Sequence, residues 1–173
     1  SRSNFWKKLL ALLENYDLKI LWEIGLDACS FKNRNEILEL LKFVNGFSLN
    51  LEEAKLIFNT KNEEKILETL QKVTRGIVFL RAGIRGSYVI TREKIHFIPS
   101  LNVELVDDTG AGNAYSGAVL IGMAEGLSPE ICGAMGTISS SEAIKQFGPP
   151  NVGNIVLRKK TQENLKQLVS NIN

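Results

Sequence analysis

Short stretches in which nearly every residue is apolar alternate, along this chain, with stretches whose apolar residues recur at helical spacing. A strand that is apolar at every position has no wet face, so it must be covered on both sides. Positions 77–80 (IVFL) are such a run; positions 18–24 (LKILWEI), apolar except for Lys19 and Glu23, read as a short buried strand, and a third short apolar run, at 46–49, ends at Asn50. Between them, positions 35–44 and 63–73 carry apolar residues on one helical face, and Asn50 is a good cap for a helix over 51–58. Positions 5–16 read as a further helix. Strands that alternate with helices predict an α/β sheet covered by helices on its faces. With 173 residues, 44% hydrophobic and 23% charged, the chain has enough apolar material for one folded domain spanning 1–173.

The second half continues differently. Gly83 and Gly86 make a turn, after which 87–91 and 95–98 read as an antiparallel pair joined by Arg92-Glu93-Lys94. A helix is expected from about 111 to Glu125, stopped by Gly126. Ser128 and Pro129 open another, to about 146, and a last one covers 161–169.

Charge and composition exclude several functions. The 21 Lys and Arg against 19 Asp and Glu leave a net charge of +2, which gives no support for nucleic acid or an anionic membrane as the main partner. No apolar run approaches the length of a membrane span, and positions 1–6 lack the plan of a signal peptide. Cys29 and Cys132 are too few for a disulfide framework and read as small core fillers in a reducing, cytoplasmic setting. His96 stands alone in an alternating strand, without partners for a metal site or a Ser-His-Asp arrangement. Trp6 and Trp22 read as core anchors, and Arg158-Lys159-Lys160 as a solvated patch.

The informative segment is Val106-Asp-Asp-Thr-Gly-Ala-Gly-Asn-Ala-Tyr-Ser-Gly117. Two glycines one residue apart lead straight into a helix. Small residues let a ligand approach the backbone, and the first helical N–H groups have no partners within the helix. With the helix dipole they form an anion site, most simply for phosphate; a plain strand-to-helix turn is the alternative. The segment is not a Walker loop, and Tyr115 rules out the GxGxxG dinucleotide pattern.

The same stretch resembles the signature of the pfkB (ribokinase-like) carbohydrate kinases, in which Asp-Thr-Thr-Gly-Ala-Gly-Asp precedes a small residue, an aromatic and a glycine. Asn50-Leu51-Glu52-Glu53 resembles that family's Asn-x-x-Glu motif, and Leu80-Arg81-Ala82-Gly83-Ile84-Arg85-Gly86 its Gly-x-x-Gly turn. The likeness covers roughly positions 18–150. The phrases ILWEIGLDAC, FLRAGIRGSYV, GAGNAYSGA and GTISSSEAIKQFGPP resemble more specifically the fungal killer-maintenance proteins, which also tend to carry Asn where Asn113 stands.

The resemblance implies a ribokinase-like three-layer α/β/α fold, of which this chain is the C-terminal, nucleotide-binding half. It implies ATP and Mg²⁺ as cofactors, a monovalent cation such as K⁺, and a small sugar-like substrate. Backbone N–H groups of Gly110, Ala111, Gly112 and Asn113 would form the anion hole. Asn113 takes the place of the general base, with Asp108 a less favoured substitute. Asn50 and Glu53 would lie near the phosphates, Glu53 holding Mg²⁺ through water, and Asp107 would assist the monovalent cation. Gly83 and Gly86 would shape the turn beside the nucleotide, and Ser139 would stand near the adenine. Arg81 could reach a nucleotide phosphate or be an exposed strand-end arginine. A carboxamide cannot take up a proton as a carboxylate does, so Asn113 weakens the kinase reading and leaves the nucleotide site intact. The expectation is therefore a partial kinase, with a non-catalytic nucleotide- or sugar-binding protein, or a fragment of a gene, as alternatives.

Overall fold

The computed structural model describes residues 2–13, 15–16, 18–150 and 155–170, apart from the side chains of residues 2, 3, 155, 157 and 158. The chain divides into two compact units. One comprises Ser1–Ala82 with Tyr88–Ile95, the other Gly83–Ser87 with His96–Asn173. Five strands, β1 (Leu21–Glu23), β2 (Gly46–Asn50), β3 (Ile77–Arg81), β4 (Gly86–Ile90) and β5 (Ile95–Pro99), are hydrogen-bonded in sequence order.

In the first unit β1, β2 and β3 run parallel, with Trp22 opposite Phe47 and Asn50 opposite Arg81. Four consecutive residues of β2 and three of β3 are buried, as runs without a wet face require. Helix α1 (Arg2–Leu13) precedes β1, and α2 (Arg34–Leu40), continued by a 3₁₀ turn at Leu41–Phe43, connects β1 to β2. Helices α3 (Leu51–Phe58) and α4 (Glu63–Val73) connect β2 to β3 with the expected bounds. Ile37, Leu41, Phe47, Ala54, Ile66 and Leu80 belong to the core they enclose. The sharp boundaries have visible causes. Asn50 and Glu53 form a reciprocal capping box, and Asn62 caps α4 through the Lys65 N–H at 2.9 Å.

Strand β1 is shorter than the expected 18–24, because Leu18 is exposed ahead of the pairing and ladder bonds begin only at the Ile20 carbonyl. Trp6 is a correction: it is 43% exposed and meets Phe5 edge to face, while Leu10 is the buried residue of α1. Trp22 does pack on Phe47, with centroids 5.0 Å apart.

In the second unit α5 (Ala111–Ala124) and α6 (Pro129–Ala143) pack on each other, and α6 is followed in sequence by α7 (Ile155–Ser170). Pro129 occupies the first turn of α6 as expected, yet the Ser128 side chain makes no capping bond. Helix α7 begins earlier than the expected 161, and positions 151–154 lie outside the described residues. Strands β4 and β5 are joined by four residues, too few for a parallel crossover, so they are antiparallel. At Gly86, φ is +127° and an added Cβ would lie 2.0 Å from the Ile98 carbonyl oxygen, so only glycine fits.

Candidate functional site

Two sets of expected residues assemble, one in each unit. The first lies at the carboxyl ends of the parallel strands, where α/β sheets bind ligands. The Asn50 Oδ1 accepts the Glu53 N–H at 2.8 Å, and the Glu53 Oε2 accepts the Asn50 N–H at 2.6 Å. This bond, and a position 4.0 Å from Arg81 Nη2, fix the Glu53 carboxylate in a buried place. Its Oε1 has no hydrogen-bond partner among the described residues. Arg81 is 14% exposed at the side chain and donates from Nη1 to Glu23 Oε1 at 2.8 Å. The arginine is therefore neither free nor at the surface, and its Nε is buried without a partner. Two carboxylates around one guanidinium leave one formal negative charge. Glu23 was not singled out from the sequence, although a carboxylate inside the run LKILWEI was the available signal.

Cys29 lies beside this cluster and is buried, with its thiol directed to the Gly25 carbonyl. Burial first, and then the charges of Glu53 and Asp27, push its pKa up to about 11. Cys132 is buried too and is pushed to about 11 mainly by desolvation. Both behave as core fillers, not nucleophiles.

The second set is the glycine turn. The Val106 and Asp107 N–H groups both donate to the Ile144 carbonyl, at 2.8 and 3.2 Å, which ties the loop to the end of α6. Asp107 Oδ1 accepts the Thr109 N–H at 3.0 Å, and bonds from Thr109 hold its carboxyl below the usual aspartate range. Asp108 is exposed. Gly110 then turns the chain at φ +82°, a conformation that opposes a side chain, and becomes the cap of the 14-residue α5. Ala111 N–H donates to the Asp108 carbonyl at 3.1 Å. The N–H groups of Gly110, Gly112 and Asn113 have no acceptor among the described residues. Three of the four expected donors are thus open and the fourth is spent within the turn. The Asn113 side chain is exposed.

In the same unit, Gly83 and Ile84 stand exposed on the turn before β4, which is pinned by Ser100 through its hydroxyl to the Ile84 carbonyl and its N–H to the Arg85 carbonyl. Ser139 is half-buried on α6. His96 is half-buried on β5. Among the described residues no three His, Cys, Asp or Glu side chains group as a metal site, and no helix is long and apolar enough to cross a membrane.

An α/β unit with a capped Asn-x-x-Glu turn, and another in which a glycine turn opens a helix, define a ribokinase-like kinase fold. The model of the pfkB family carbohydrate kinases matches residues 13–153, and the chain belongs to that family. A ribokinase from Lactococcus lactis is 28% identical, over 98% of this chain and 59% of its own length. Protein MAK32 of Saccharomyces cerevisiae is 27% identical, over 76% of this chain and 42% of its own. A probable sugar kinase from Rhizobium etli shares the fold with a TM-score of 0.79 at 21% identity, covering 92% of this chain and 49% of that one. The chain spans about half the length of these relatives.

Proposed function

We propose that this chain supplies the nucleotide-binding half of an ATP-dependent kinase that phosphorylates a hydroxyl of a small sugar-like molecule. The observation that carries this reading is the glycine turn: three unpartnered N–H groups at the positive end of α5. They would hold phosphate oxygens. Mg-ATP, when bound, supplies the phosphoryl group and neutralises its developing charge. Glu53 fits a water-held Mg²⁺, because it is fixed through Oε2 and keeps Oε1 free, and because one carboxylate with waters suits that ion. The net negative charge of Glu23, Arg81 and Glu53 favours the same cation. Asp107, held ionised by Thr109, suits a monovalent cation at the turn. Asn50 positions Glu53, and Arg81, anchored by Glu23 and 4.0 Å from Glu53 Oε2, is assigned with them to the phosphate side of the nucleotide. Gly83, Gly86 and Ser139 are assigned to the adenine side of the nucleotide. Asn113 presents a carboxamide, which can orient a substrate hydroxyl but cannot take its proton, so slow turnover is expected.

Calorimetry with Mg-ATP tests the proposal on the native chain and on Gly112→Asp. An aspartate in the first turn of a helix is compatible with folding, yet it sets a negative charge where phosphate would lie. Saturable binding that the substitution abolishes is the expected result. Equal binding by both proteins would place the nucleotide elsewhere and overturn the assignment.

A further inference from the structure

One cavity in the first unit is not used by the glycine turn or the Asn-x-x-Glu site. It holds about 290 Å³ and is lined chiefly by Phe31, Arg34, Phe58, Asn59, Thr60 and Lys65. The 3₁₀ turn Phe31–Asn33 and the first residue of α2 form one wall, and the end of α3 and start of α4 the other. No carboxylate lines it. Arg34 lies near two aromatic rings, its guanidinium carbon 5.9 Å from the Phe31 centroid and 5.6 Å from that of Phe58. Such contacts hold a guanidinium in place but satisfy none of its N–H groups. Its Nε is buried without a hydrogen-bond partner. Lys7, Lys42, Lys55, Lys72, Arg81 and Lys145 all pair with glutamates, whereas Arg34 and Lys65 have no ionic partner among the described residues.

Two unpaired cations, an amide and a hydroxyl around a space with aromatic walls specify a ligand. The planar guanidinium fork matches a carboxylate or phosphate, the rings match a flat apolar body, and the volume admits a molecule of roughly one ring. We propose that this cavity binds a small organic oxyanion, its phosphate or carboxylate on Arg34 and Lys65 and its flat body against Phe31 and Phe58. The site is independent of the proposed kinase reading.

Titrations of the full chain with phenyl phosphate, benzoate and inorganic phosphate, followed by calorimetry, test this. Saturable binding of phenyl phosphate or benzoate is expected, with inorganic phosphate weaker because it leaves the rings untouched. Whichever ring compound binds tighter identifies the oxyanion. Arg34→Met and Lys65→Met should each weaken binding by about tenfold or more, whereas Gly112→Asp should not change it. Lys65 is exposed, so its variant keeps the test decisive even where Arg34→Met fails to fold. Absence of binding by either ring compound, equal binding by native chain and Lys65→Met, or loss in Gly112→Asp alone would overturn the proposal.

Discussion

Helices α5 and α6 meet where Gly136 faces the ring of Tyr115, and a methyl added at Gly136 would lie 2.8 to 2.9 Å from three ring atoms. The ring cannot easily retreat, because Tyr115 is buried and its hydroxyl donates to Ser87 Oγ at 2.9 Å. Gly136→Ala therefore overpacks the contact, at about 1–3 kcal/mol. Against this stands the helix propensity of alanine over glycine, about 1 kcal/mol. Gly117 offers a matched control on α5, since an added Cβ meets nothing within 4 Å. There the propensity gain stands alone and Gly117→Ala should stabilise by about 1 kcal/mol. The two alanines should thus differ by about 2 kcal/mol, with Gly136→Ala the weaker, or about 6 °C in melting temperature. Urea denaturation followed by circular dichroism reads the difference. Equal shifts in the same direction would mean that Tyr115 does not press on Gly136, and the close α5–α6 contact would be refuted.

Asn113→Asp should raise phosphoryl transfer by about 10²-fold over the native chain under identical Mg-ATP and sugar, as restoring a general base does; unchanged rates in a coupled ADP assay would remove residue 113 from the chemistry. Arg81→Met should cost about 1–3 kcal/mol, because it leaves the carboxylates of Glu23 and Glu53 without their cation; a denaturation midpoint equal to the native one would show the cluster to be solvated. Cys29 and Cys132 should resist a thiol reagent at pH 8 in the folded chain and react fully in denaturant. Because their folded pKa values of about 11 exceed the ordinary thiol value of 9.0, stability should fall as pH rises from about 9 towards about 11. Removing both thiols should flatten that slope.

Local rules made much of this protein legible from its residues. The apolar runs at 46–49 and 77–80 announced the buried strands β2 and β3, because a strand without a wet face has no other stable place, whereas β1 carries no buried residue. Asn50 announced the start of α3, while the return bond from Glu53 that completes the capping box came from the structure. Gly110 announced the turn into α5, since its φ of +82° opposes a side chain. The unsatisfied N–H groups of Gly112 and Asn113 follow from being first in a helix. What the sequence could not determine was set by contacts between distant positions. Glu23 and Arg81 are 58 residues apart and meet only because β1, β2 and β3 align in parallel register. That pairing, and not the strand-end position, decides the state of Arg81. Trp6 has the composition of a core residue, but whether its face of α1 is covered depends on what packs against that helix. The cavity of Arg34 and Lys65 likewise joins segments whose only common property is that folding brings them together. Spacing along the chain reports hydrogen bonds and periodicity within a few residues, whereas charge pairing and cavities belong to the packing of elements and appear only when the chain has folded.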